Sequence, residues 1–106
     1  MSDDSVQAKV DLMAKVFMGR LPVRFEKMNE ALALCRANPQ DQEAWVELHR
    51  LLHSLGGAAG TFGCDALGAH AARIEQRVKQ LLALPERTPV HLDEIGHALA
   101  SLQSTT

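Results

Sequence analysis

The sequence contains few aromatic residues, with three Phe, one Trp and no Tyr among 106 residues. Hydrophobic residues nevertheless make up 46% and charged residues 23% of the chain, which is typical of a soluble globular domain and excludes a disordered one. The core must therefore be built from aliphatic side chains, which favours helices. The length fits one compact domain with a modest core.

Clustered positive charge and long apolar runs are also absent. No two basic residues are adjacent, and the net charge is -2, so the chain lacks the basic face of a nucleic-acid-binding domain. Its apolar stretches fall well short of the roughly 20 residues that a membrane helix needs. The acidic, polar N-terminus is unlike a secretory signal. We therefore expect a cytoplasmic protein that binds neither nucleic acid nor a membrane.

Cysteine is scarce, since the chain has only Cys35 and Cys64 and neither lies in a CxxC motif. Two cysteines cannot form a disulfide framework. We predict two free, buried or half-buried thiols without a redox role.

Apolar residues recur at three- and four-residue spacings almost throughout the chain, which predicts helices and no strands. The predicted inward residues of five successive helices are Val6, Val10, Met13 and Phe17; Phe25, Met28, Leu32 and Cys35; Ala44, Trp45, Leu48, Leu52, Leu55 and Ala59; Leu67, Ala71, Ile74, Val78 and Leu81; and Ile95, Leu99 and Leu102.

Breaks between these helices are predicted at residues 19–22, 37–39, 60–63 and 85–89. The second helix should begin near Leu21, while Asp41 and Asp65 should be the N-caps of the third and fourth. Short connections between amphipathic helices imply antiparallel neighbours. The predicted fold is an all-α, antiparallel, up-and-down four-helix bundle with an additional short helix, for which we choose the first. We expect a single, free-standing domain over residues 1–106 with an ordered core of roughly 5–103.

Three glycines interrupt the third helix at positions 56, 57 and 60, close after His53. Glycine inside a helix is less favourable than alanine by about 0.8–1.0 kcal/mol, so together they cost roughly 2–3 kcal/mol. At about 100° per residue, all three lie within about 60° of His53, which itself points well away from the core residues. The pattern predicts an imidazole on a bare helix surface, where a large partner can bring a reactive group onto the ring.

Histidine can form covalent intermediates, and with an ordinary pKa near 6.5 a good fraction of its ring is neutral and nucleophilic at cytoplasmic pH. The sequence places no base, metal site or oxyanion donor beside His53. A partner must therefore supply the rest of any active site. From the pattern alone, an ordinary solvated histidine beside glycines that allow close helix packing remains an equal alternative.

Residues 49–75, HRLLHSLGGAAGTFGCDALGAHAARIE, resemble the signature of histidine phosphotransfer (HPt) domains. The matching positions are His53, Leu55, Gly57, Ala58, Ala59, Gly60 and Gly63. The following helix, from Leu67 to Glu75, and the upstream segment from Leu21 to Arg24 are also similar to segments of such domains. The resemblance is specific over about 30 residues and extends by helix layout over perhaps 90.

The resemblance implies that His53 accepts a phosphoryl group from the aspartate of a receiver domain and passes it to a second receiver. Gly57, with Gly56 and Gly60, would give steric access. The partners would be response-regulator receiver domains and a hybrid sensor histidine kinase. The Mg²⁺ would come from the receiver, so the chain needs no cofactor or metal of its own. The protein would be a monomeric carrier and not a kinase.

Two positions depart from the family pattern. Gly56 stands where the family commonly has a lysine that offsets phosphate charge, and we hypothesise that Arg50 substitutes for it. Glu75 stands where many relatives have glutamine; its carboxylate could orient the imidazole of His53 but would also repel phosphate.

Two other functions remain open. A phosphotransfer-inactive adaptor with the HPt fold is one, because the lysine is missing. The other is a metal-binding bundle that uses His49 and His53, four residues apart, with His70 as a third ligand.

Overall fold

The computed structural model describes residues 2–105, with side chains from residue 5 onward. It contains five helices: α1 (Ser2–Gly19), α2 (Leu21–Ala37), α3 (Gln42–Thr61), α4 (Asp65–Leu82) and α5 (Pro89–Ser104). The described residues contain no strand, so the prediction of an all-α fold is confirmed. Within the same residues, no helix is both long and apolar enough to cross a membrane.

Helices α2 to α5 form a closed four-helix bundle. Helix α3 packs against α2 and α4, and α5 closes the ring by packing against the same two helices. The connections span only residues 38–41, 62–64 and 83–88, so consecutive helices run antiparallel. All predicted inward residues of α3, α4 and α5 are buried, as are Met28, Leu32 and Cys35 of α2, while Phe25 is half-buried against the core.

Helix α1 is the additional helix, as predicted, but it is longer than expected and its inward stripe was predicted wrongly. It has 18 residues, and among its described side chains only Phe17, near the C-terminal end, is buried. Val6, Val10 and Met13 are exposed by 59%, 45% and 53%. The molecule is 57 Å long, whereas a 20-residue helix spans about 30 Å, so α1 extends past the end of the bundle. Its apolar residues therefore have no neighbouring helix to cover them.

The helix starts show one confirmed cap and one error. The Asp41 carboxylate accepts a hydrogen bond from the backbone N–H of Ala44 at 3.2 Å, so Asp41 is the N-cap of α3. Asp65 is instead the first residue of α4, and Cys64 occupies the N-cap. The chain turns through Gly63, with φ of 77°, and this turn brings α4 back along α3. In the first turn of α4 the Asp65 carboxylate still interacts favourably with the helix dipole.

Helix α5 begins with a capping box between Thr88 and His91 and has 16 residues. The loop before it contains Arg87, which is only 5% exposed. The Arg87 guanidinium donates hydrogen bonds to the carbonyl oxygens of Pro39, Leu81 and Leu84. A loop arginine, absent from the predicted core, thus ties the α2–α3 turn to the end of α4.

Candidate functional site

His53 lies on the solvent face of α3, the helix between α2 and α4, and 77% of its side chain is exposed. Gly57 and Gly60 follow on the same surface, and a Cβ atom added at either would meet nothing within 4 Å. The space beside the imidazole is therefore open, and no close packing requires glycine at these two positions.

Gly56 has a different environment from the other two glycines. A Cβ atom added there would lie 3.6 Å from the carbonyl oxygen of Gly68 and 4.0 Å from the Cβ atom of Ala71, both on α4. A Cβ atom added at Gly68 would lie 3.3 Å from the carbonyl oxygen of Gly56. The tight contact is at Gly68, which lets α4 approach the backbone of α3, whereas a Cβ atom at Gly56 would make only ordinary van der Waals contact with α4.

This close approach brings Glu75 of α4 to the ring of His53. The Oε1 atom of Glu75 is in hydrogen-bond contact with Nδ1 of His53, and only 12% of the Glu75 side chain is exposed. A carboxylate is only an acceptor when ionised, so this contact assigns the proton to Nδ1. In the neutral ring the other nitrogen, Nε2, then carries the lone pair.

His49, one turn before His53, approaches the same carboxylate. Its Nε2 atom lies 3.8 Å from Oε1 of Glu75, and its ring is nearly parallel to that of His53, at an interplanar angle of 8°. The Glu75 carboxylate is therefore flanked by two imidazoles, of which only that of His53 lies within hydrogen-bond distance. Sequence spacing had suggested a link between the two histidines, but as metal ligands and not as partners of one carboxylate.

His70 does not join this group, because it lines a separate cleft between α4 and α5 with Arg73, Arg77 and Glu94. Among the described residues, no group of three or more His, Cys, Asp or Glu side chains is arranged to hold a metal ion. The structure thus does not place His70 beside His49 and His53, as the hypothesis of a three-histidine metal site requires.

Arg50 also differs from expectation in its contacts. Its guanidinium makes a two-pronged ion pair with the Glu47 carboxylate on the same helix, at 2.5 and 2.9 Å, and not a contact with His53. The side chain that crosses to α3 from α2 is Arg24, which donates to the hydroxyl of Ser54 at 3.3 Å. Arg24 lies in the upstream segment that resembles the family, but its contact with Ser54 was not predicted, because residue spacing within one helix does not indicate a contact between residues 30 positions apart.

The described residues form a helical bundle that presents His53 on its surface. The Nδ1 atom of His53 contacts a carboxylate, and Gly57 and Gly60 leave open space beside the ring. This combination defines a helical bundle with an exposed, carboxylate-bound histidine on its surface. The Hpt domain family matches residues 12–105, and the chain belongs to this family.

A solved structure gives the same assignment. The chain is similar to the CheA phosphotransferase domain from Thermotoga maritima, with a TM-score of 0.76 and 25% sequence identity over 91% of each chain. No curated protein matched the sequence. Family and structure together support a histidine phosphotransfer function in general, and Hpt domains are phosphoryl carriers that interact with kinase and receiver-type partners.

Proposed function

We propose that His53 accepts a phosphoryl group from the aspartyl phosphate of one receiver domain and passes it to the aspartate of another in a two-component phosphorelay. The observation that carries this proposal is the exposed imidazole whose Nδ1 atom is engaged by Glu75. With the proton on Nδ1, the lone pair on Nε2 is available to an incoming phosphoryl group.

The transfer can be followed atom by atom. Nε2 of His53 forms a bond to phosphorus while the bond from phosphorus to the aspartyl oxygen breaks, and the aspartate leaves as a carboxylate with the electron pair. The imidazole becomes positively charged as the bond forms, and the Glu75 carboxylate stabilises that charge across the Nδ1 hydrogen bond. Onward transfer reverses these events with a second aspartate.

The partner would supply the remaining groups, including Mg²⁺ to neutralise the phosphoryl oxygens. The chain would act as one monomeric carrier domain in the compartment of its receivers, which we expect to be the cytoplasm. A hybrid sensor histidine kinase would stand upstream of the first receiver.

The direct test is transfer of labelled phosphate from a panel of phosphorylated receiver domains to the wild-type chain and to His53→Gln. His97→Gln is the matched control, because His97 is an exposed histidine on α5. We expect acid-labile, base-stable label on the wild type and on His97→Gln, and none on His53→Gln.

Two results would replace the proposal. Receiver binding without label on the wild type would favour the adaptor function. Zinc or haem uptake at one equivalent, lost on changing His49 or His53 and without receiver binding, would favour the metal function.

A further inference from the structure

A cleft of about 440 Å³ runs between α2 and α3 on one side of His53. Four of the eight residues that line it are basic: Arg20, Arg24, Lys27 and Arg50. The chain as a whole carries a net charge of -2 and has only 11 basic residues, so more than a third of its lysines and arginines face this one cleft.

Most of this positive charge is not neutralised within the molecule. Of the four cations only Arg50 forms an ion pair with an acidic residue among the described residues, namely Glu47, on which Lys27 acts only at longer range. The hydrogen bond from Arg50, aided by the charges of Arg50 and Lys27, lowers the pKa of Glu47. Arg24 contacts neutral groups, the hydroxyl of Ser54 and the ring of Phe17, so its charge is retained.

The cleft makes the surroundings of His53 asymmetric. On the α4 side the ring meets the Glu75 carboxylate, and His49 stands beside it. On the α2 side the next residue, Ser54, accepts a hydrogen bond from Arg24 and lines the basic cleft. A partner that approaches Nε2 of His53 therefore meets the basic cleft on the α2 side and the Glu75 carboxylate on the α4 side.

We propose that the α2–α3 cleft is a docking surface for a protein partner whose contact surface is acidic at its rim. The cleft would orient the partner so that this acidic rim lies on the α2 side of His53. This inference rests on the proposed function, under which the partner is the phosphorylated receiver domain. Charge complementarity is the reason for an acidic partner, since unpaired surface cations attract opposite charge over about a Debye length, or about 8–10 Å at 0.1–0.15 M salt. Exposed Val23 at the same cleft adds an apolar contact at close range.

Rates of phosphoryl transfer from a phosphorylated receiver, measured at several salt concentrations, test the cleft. The variants are Arg20→Glu and Lys27→Glu, each of which changes the charge by two units and leaves His53, Glu75 and Arg24 in place. The matched control is Arg73→Glu, an equal charge reversal at an exposed residue in the cleft between α4 and α5.

We expect each cleft variant to lower the second-order rate constant roughly three- to tenfold at low salt, with a smaller effect as salt rises. Arg73→Glu should change the rate less than twofold, and the first-order rate at saturating partner should stay near the wild-type value for all three variants.

The possible failures are distinguishable. If His53 is labelled but the cleft variants and Arg73→Glu have equal rates at every salt concentration, the docking inference is wrong and the proposed function stands. If receivers bind but leave no label, the proposed function is wrong, and the same variants in a binding titration still decide the cleft. If no receiver binds even His53→Gln, both are wrong.

Discussion

The Oε1 atom of Glu75 on α4 contacts the Nδ1 atom of His53 on α3, although the two residues are 22 positions apart in the sequence. The two helices approach closely where Gly68 of α4 faces the carbonyl oxygen of Gly56 on α3. Gly56, which stands where the family commonly has a lysine, therefore lies in the segment of α3 that packs closely against α4.

The first prediction concerns the orientation of this ring. Glu75→Ala removes the acceptor at Nδ1, so the proton should redistribute between the two ring nitrogens and the nucleophilic fraction should fall. A hydrogen bond to a charged group contributes about 1.5–3 kcal/mol, so transfer should slow by at least about tenfold. Glu75→Gln keeps an acceptor oxygen without the charge and should retain an intermediate rate.

Nitrogen NMR of the His53 ring is the readout that a merely structural role would not change. The wild type should show mainly the Nδ1–H tautomer and Glu75→Ala a mixture. An unchanged tautomer in Glu75→Ala would show that Glu75 does not orient the ring, whatever the rate of phosphoryl transfer.

The second prediction separates access from stability at Gly57. Because a Cβ atom there meets nothing within 4 Å, Gly57→Ala should stabilise the fold by about 0.8–1.0 kcal/mol through helix propensity. Gly57→Leu should also fold normally but should reduce transfer at least about tenfold by obstructing the partner. Urea unfolding and transfer rates measure the two effects, and a Gly57→Leu protein with the wild-type rate would show that this surface need not be bare.

The sequence was sufficient to predict the bundle and the exposure of His53, because both follow from the periodicity of residues within single helices. Periodicity does not predict contacts between helices: His49 and His53 share a face by spacing, but their common partner Glu75 lies on another helix, and its contact with His53 was expected only from the family resemblance. The α1 stripe shows the converse limit. An apolar face at Val6 and Val10 predicts a helix correctly, but not that a neighbour covers it.

The third prediction concerns the two free cysteines. Burial, together with the nearby charge of Asp41, raises the pKa of the Cys35 thiol to about 11. Alkylation requires the thiolate, whose fraction at pH 8 is then only about one in a thousand. Iodoacetamide should therefore label half-buried Cys64 first and Cys35 far more slowly in the folded protein, with a Cys35 rate that rises as pH approaches 11.

Cys64→Ser is the control for this assignment. It should lose the fast phase of labelling and keep the slow one. Equal rates at the two cysteines in the folded protein would contradict the burial of Cys35.

The last prediction concerns Arg87, which lies in the loop before α5 and bonds both the α2–α3 turn and the end of α4. Its guanidinium donates to carbonyl oxygens at Pro39 and Leu81, lies 5.8 Å from the ring centre of Trp45, and also bonds the side chain of Gln42. Arg87→Ala removes these hydrogen bonds and the contact with Trp45, although Pro39 O still accepts from the Trp45 indole and Leu81 O from the backbone N–H of Leu84, so the free energy of unfolding should fall by about 1–3 kcal/mol. Arg87→Lys should recover only part of this, because an ammonium cannot reproduce the planar fork of donors.

Urea unfolding of both variants, beside Arg73→Ala as an exposed arginine control, measures the effect. The control should lie within about 0.5 kcal/mol of the wild type. Because Arg87 bonds the α2–α3 turn and the end of α4 and touches none of the groups around His53, Arg87→Ala should keep the wild-type transfer rate under conditions in which it remains folded. An Arg87→Ala protein as stable as the control would mean that water satisfies the carbonyl groups equally well.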